Sequence, residues 1–110
     1  MSEKGKPSFY KKMNKQYPEI FTSLENLGTT LRKAGPLDEK TSHLVQLAAA
    51  AACHSEGSVC SHARRAMQAG ATPEEINHTL LLLVSTIGFP QTMAAMSWAE
   101  QVMEKKQKGK

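Results

Sequence analysis

The sequence is poor in the features that would mark a secreted, membrane or nucleic-acid-binding protein. Two cysteines are too few for a disulfide-stapled extracellular scaffold, and no basic, apolar, small-residue leader pattern opens the chain. Both absences lead to an expected cytoplasmic location. The longest apolar stretch, Leu44 to Cys53, is interrupted by Gln46 and falls short of the ~20 residues that a membrane-crossing helix requires, so no membrane association is expected. Aromatic residues are scarce, with three Phe, two Tyr and one Trp. Alanine, leucine and methionine must therefore fill most of the interior, and these are strong helix formers. Five prolines and no low-complexity tract, beside 40% hydrophobic residues, exclude a disordered chain.

What the chain does hold fits one domain over residues 1–110, since domains commonly run to ~100–150 residues. A two-domain cofactor enzyme is excluded by length, and no cofactor is expected. The net charge of +4 suggests nucleic acid until the charges are placed. Five lysines lie within residues 1–17 and four within 101–110, whereas residues 18–100 carry five basic against eight acidic side chains. Lysines gathered at chain ends, as in the tails 1–7 and 105–110, serve solubility. A nucleic-acid surface needs a basic groove interleaved with aromatics, so no nucleic-acid partner is expected.

No segment alternates apolar and polar residues over the length of a strand, and several repeat at helical spacing, which predicts an all-α fold of about six helices. The first is Ser8 to Gln16. The second begins at Pro18, whose missing N–H suits a first turn, and runs to about Lys33. Asp38 is placed to cap a third helix, Glu39 to Cys53, whose second half is apolar on every side and is expected to be buried all round. A fourth begins near Ser55 to Ser58 and stops at Gly70. Thr72-Pro73-Glu74-Glu75 then combines an N-cap, a first-turn proline and a capping-box glutamate, opening a fifth helix expected to reach Ile87. Gly88-Phe89-Pro90 breaks the chain before a sixth helix to about Lys105. On the fifth, Ile76, Leu80, Leu83, Val84 and Ile87 share a face, with Leu81 and Leu82 to either side. Either those two leucines meet another copy of the chain, making a homo-oligomer, or the first two helices cover them.

Chemistry concentrates on the fourth helix. Ser55, Ser58 and Arg65 stand at minus seven, minus four and plus three from His62, so all four share one stripe if the helix reaches back to Ser55. A guanidinium beside an imidazole can hold a carboxylate while the ring moves a proton. The same pattern also fits a histidine that merely packs at a helix edge and bonds a neighbour. Cys60 is two positions from His62, which points the side chains apart, and it reads as a small buried hydrophobe. Cys53 and Cys60 would be ~10 Å apart on a continuous helix, too far for a disulfide unless a turn intervenes, so a redox pair stays open but unsupported. Cys53, His54, Cys60 and His62 have the atom types for zinc, but their spacing matches no closed site, and no metal is expected. His78 faces solvent. His43, on the third helix, could approach His62 only through tertiary packing.

The stretch Leu37-Asp38-Glu39-Lys40-Thr41, the alanine-rich helix after it, and the run from His62-Ala63-Arg64-Arg65 through Gly70-Ala71-Thr72-Pro73-Glu74-Glu75-Ile76 together resemble the carboxymuconolactone decarboxylase family over roughly residues 20–104. That superfamily includes the alkylhydroperoxidase D branch. The resemblance implies an all-helical, obligately oligomeric protein, trimeric or hexameric, acting on a small molecule. The peroxidase branch uses a Cys-x-x-Cys-x-x-x-His motif with a preceding glutamate. Matched at His62, its two cysteines become Ser55 and Ser58 and its glutamate becomes His43. A hydroxyl cannot form the disulfide on which peroxide reduction cycles. The decarboxylase branch, which has the histidine without paired cysteines, is the nearer likeness. It implies His62 as the catalytic proton carrier, Arg65 as the substrate-orienting cation, and Ser55, Ser58 and His43 as polar lining, with a small anionic acid or lactone as substrate. The alternatives are a thiol peroxidase using Cys60 or Cys53, and an oligomeric binding protein that kept the fold without the chemistry.

Overall fold

The computed structural model describes residues 8–108 and places seven helical segments among them, without a strand. These are α1 (Ser8–Gln16), α2 (Pro18–Arg32), α3 (Glu39–Ala52), α4 (Glu56–Gln68), α5 (Pro73–Leu81), α6 (Val84–Ile87) and α7 (Phe89–Lys108). Residues 1–7 and 109–110, the outer parts of the lysine-rich tails, lie outside the described residues. No described helix is long and apolar enough to cross a membrane.

Local chemistry sets the helix ends. Asp38 accepts from the Thr41 amide at 2.8 Å and opens α3. Thr72 and Glu75 form a complete capping box, with the Thr72 amide donating to Glu75 at 3.0 Å and the Glu75 amide to the Thr72 hydroxyl at 3.1 Å. These two bonds satisfy two of the amides that the start of α5 would otherwise leave without a partner. At the end of α4 the Ala71 amide reaches back to the Ala66 carbonyl and the Gly70 amide to that of Met67. This is a Schellman closure, which needs a left-handed residue at Gly70; its φ is 106°.

The core is made by α3, α4, α5 and α7. Leu47 and Ala51, Val59, Ala63 and Ala66, Ile76 and Leu80, and Ala95 and Ala99 are all sealed from solvent. Alanine at so many contact positions lets the helix axes approach closely, which offsets the shortage of large aromatic fillers. A Lys40–Glu75 ion pair at 3.1 Å ties α3 to α5.

Three expectations need correction. The predicted fifth helix is pinched in two: the Leu83 amide bonds the carbonyl of Leu80, three residues back, instead of continuing the four-residue ladder, and α6 restarts at Val84. The break separates buried Leu80 from Leu81 and Leu82, which are 48% and 62% exposed. The first two helices therefore do not cover these leucines. The second half of α3 is also not buried all round, because α4, α5 and α7 pack on one side of it and leave Ala49, Ala52 and Cys53 exposed.

Helices α1 and α2 stand apart from this core. They pack on each other through an edge-to-face Tyr10–Phe21 contact, with ring centroids 5.2 Å apart, and α2 has no buried residue. One side of α2 turns Phe21, Gly28 and Arg32 inward. The other presents Ile20, Leu24, Leu27 and Leu31, each more than half exposed, at a four-three-four spacing that forms a single stripe.

Candidate active site

The site lies where α2 crosses α3 and α4. Glu39, His43 and Gln46 follow one another at intervals of four and three, so they line one face of α3. Ser58, Ser61, His62 and Arg65 do the same on α4. The His43 and His62 rings meet across the two helices, Nδ1 to Nδ1, at 3.2 Å. His43 Nε2 is 3.3 Å from Glu39 Oε2. From α2, Arg32 donates to Gln46 Oε1 at 3.3 Å and places its Nε 3.7 Å from the same Glu39 oxygen. The Arg32 side chain is only 8% exposed, and its Nε has no hydrogen-bond partner. Gly28 leaves room for it, since a Cβ there would stand 3.2 Å from the guanidinium. Arg65 donates to Glu25 of α2 at 2.6 Å.

Together these residues wall a cavity of about 380 Å³, lined by Tyr10, Phe21, Glu25, Arg32, Gln46, Ser58, Ser61, His62 and Arg65 among others. A second hollow of about 290 Å³ also touches His62 and adds Cys53 and Ser55. A third, of about 350 Å³, lies against His43, Glu39, Arg32 and Arg65. The volumes suit small ligands, at the lower end of the range for binding pockets.

Electrostatics keep both rings neutral. His62 is pushed down to about 4, chiefly because burial penalises its charged form, and next because His43, Arg65 and Arg32 stand beside it. His43 is also held below its ordinary value, by burial first and by Arg32 second, against the opposing pull of Glu39. At neutral pH the cavity therefore offers an uncharged imidazole beside a guanidinium.

The residues singled out from the sequence gather here with one change of role. His62, Arg65 and Ser58 line the main cavity, and His43 backs His62. Ser55 precedes α4 as its N-cap, accepting from the Ser58 amide at 3.4 Å, and so lines the adjoining hollow from the helix end. Neither cysteine is in a disulfide, and their surroundings differ: Cys53 is exposed beside the second hollow, while Cys60 is buried with its Sγ 3.6 Å from the Trp98 carbonyl. His54 sits in the turn between them with a φ of 59° and its ring edge-on to Trp98. No group of three or more His, Cys, Asp or Glu among the described residues is arranged to hold a metal. Sequence reasoning missed Arg32, Glu39, Gln46 and Glu25. The Glu39-His43-Gln46 register was the available signal for two of them, a polar line on a helix otherwise rich in alanine. Nothing local marks Arg32 or Glu25, which arrive from a different helix.

Fold and site define an all-helical protein with a histidine-centred polar cavity. The carboxymuconolactone decarboxylase family profile matches residues 18–101, and the chain belongs to that family. The uncharacterized protein MJ1511 of Methanocaldococcus jannaschii is 31% identical over 84 residues, which are 76% of this chain and 78% of that protein. The crystal structure of apo-lpg0406, a carboxymuconolactone decarboxylase family protein from Legionella pneumophila, is similar at a TM-score of 0.70 and 33% identity. The likeness covers 84% of this chain and 83% of that one.

Proposed function

We propose that the protein is a lyase-type enzyme carrying out acid–base chemistry on a small anionic acid or lactone, with His62 as the proton carrier. The observation that carries this reading is a neutral imidazole lining the same cavity as the Arg65 guanidinium. Loss of CO2 from a carboxylate consumes one proton, which solvent supplies and some group at the cavity must deliver to the carbon left behind. His62 is the imidazole on that wall. Once protonated, a ring with a depressed pKa is a strong donor, and it returns readily to the neutral form. Arg65 has five N–H donors and uses the nearest on Glu25, so others remain to orient a carboxylate. Ser58 adds a hydroxyl to the same wall, with Ser55 and His43 in the adjoining polar lining.

The reading includes a homo-oligomer, trimeric or hexameric. Support comes from the Ile20-Leu24-Leu27-Leu31 stripe and from Leu81 and Leu82, which are apolar surfaces that a soluble monomer rarely exposes. It also includes a cytoplasmic location, where cysteines outside any disulfide persist. A second reading, thiol redox chemistry, has one observation in its favour: exposed Cys53 shares a hollow with His62. Cys60 is the weaker candidate, being sealed in the core.

The test is a screen of small carboxylic acids and lactones for CO2 release or proton uptake by the purified protein, repeated with His62→Gln and Arg65→Gln. The expected result is turnover abolished in the first variant and a raised KM in the second. Turnover that survives His62→Gln would overturn the proposal. Peroxide-dependent turnover lost in Cys53→Ser would favour the redox reading, and binding without turnover would favour a binding protein.

A further inference from the structure

Two neutral imidazoles facing each other Nδ1 to Nδ1 have only one way to share a hydrogen bond: one ring donates and the other accepts. The direction is decided two bonds away. At neutral pH the exposed carboxylate of Glu39 only accepts, and it lies 3.3 Å from His43 Nε2, so that nitrogen carries the His43 proton. Arg32 Nε lies 3.7 Å from the same oxygen. His43 Nδ1 is then a lone pair, and His62 must supply the proton for the 3.2 Å contact from its own Nδ1. The far nitrogen of His62, Nε2, is left unprotonated. No described residue is seen to bond it, and the ring lines the cavity.

We infer that Glu39 is a positioning residue which, acting through His43, fixes His62 in the Nδ1–H tautomer and so presents Nε2 to the cavity as a lone pair. A free imidazole favours the opposite tautomer, so the arrangement is imposed by its partners. The opposite alignment, His43 Nδ1–H donating to His62, would set the His43 Nε2 lone pair against a carboxylate oxygen. The doubly protonated form of His43 would satisfy both neighbours, but burial and the Arg32 charge oppose it. The consequence for chemistry is directional: His62 meets a ligand first as a proton acceptor at Nε2, and only after taking a proton there as a donor. That role for Nε2 rests on the proton-transfer reading above, whereas the tautomer does not.

Nitrogen-15 spectra of the imidazole rings test this without any substrate. In the 15N-labelled wild-type protein at pH 7.5, long-range proton–nitrogen correlations are expected to show His62 protonated at Nδ1 and His43 protonated at Nε2. Glu39 is at the exposed start of α3, so Glu39→Ala is expected to fold normally and to shift His62 towards the Nε2–H form. His43→Leu removes the acceptor and is expected to do the same independently of the carboxylate. Finding wild-type His62 protonated at Nε2 would overturn the inference, as would unchanged His62 nitrogen shifts in both variants. A correct tautomer with no turnover of any acid would leave this inference standing and count against the catalytic one alone.

Discussion

Acid is expected to weaken the fold through the His62 ring, with His43 acting in the same direction, before the carboxylates take part. In the folded chain His62 takes up its proton only at about 4, against an ordinary value of 6.5 in the unfolded chain. Between these two values the unfolded chain binds more protons than the folded one. The stability due to the neutral ring is therefore complete above pH 6.5, declines as pH falls towards 4, and is exhausted below that. Taken in full the displacement corresponds to ~3 kcal/mol. Solvent reaches the half-buried ring, and a working figure of ~1.5 kcal/mol allows for that screening. Asp38 and Glu75 act at lower pH. Their carboxyls are held below 3.8 and 4.5, first by the hydrogen bonds to Thr41 and Thr72 respectively. What they contribute is present above those values and is lost beneath them. The assay is urea unfolding followed by circular dichroism from pH 7.5 to pH 4, on wild type and His62→Gln at equal protomer concentration. With a slope of ~1–3 kcal/mol per molar urea, the wild-type midpoint is expected to fall by about 1 M more than that of the variant. Midpoint curves that run parallel across the window would refute the reasoning, because the ring would then bind its proton equally in both states.

Three further outcomes follow from the geometry. Thr72→Ala removes one half of the α5 capping box and is expected to cost ~1 kcal/mol in denaturant unfolding. Gly70→Ala meets no atom within 4 Å but must adopt a φ of 106°, so a cost of ~1–2 kcal/mol is expected from backbone strain alone, read as a lower thermal midpoint with unaltered helix content. If the α2 stripe is where copies meet, Leu24→Glu with Leu27→Glu is expected to reduce the assembly mass in light scattering while leaving the circular dichroism spectrum unchanged. An unaltered mass would move the interface elsewhere.

Helix placement was largely legible because it follows from local rules. The Thr72-Pro73-Glu74-Glu75 start, the Asp38 cap and the Gly70 stop each act within a few residues, and all three are found as read. The pinch between Leu81 and Val84 was not legible. Four consecutive leucines satisfy any helical register, and only packing decides which of them turns inward. The outward stripe of α2 was equally available as a pattern, but its exposure is a fact about neighbours.

For the site, the sequence by itself determined the α4 line of Ser58, His62 and Arg65, since a helix puts residues three and four apart on one face whatever surrounds it. It also determined that Cys60 points away from that line. The tertiary structure alone decided that His43 meets His62, that Arg32 and Glu25 arrive from α2, and that the imidazole is held neutral. The reason is one of range. Capping and helical periodicity are set by bonds spanning a single turn, whereas desolvation and the fields of neighbouring charges depend on which helices the folded chain lays against one another.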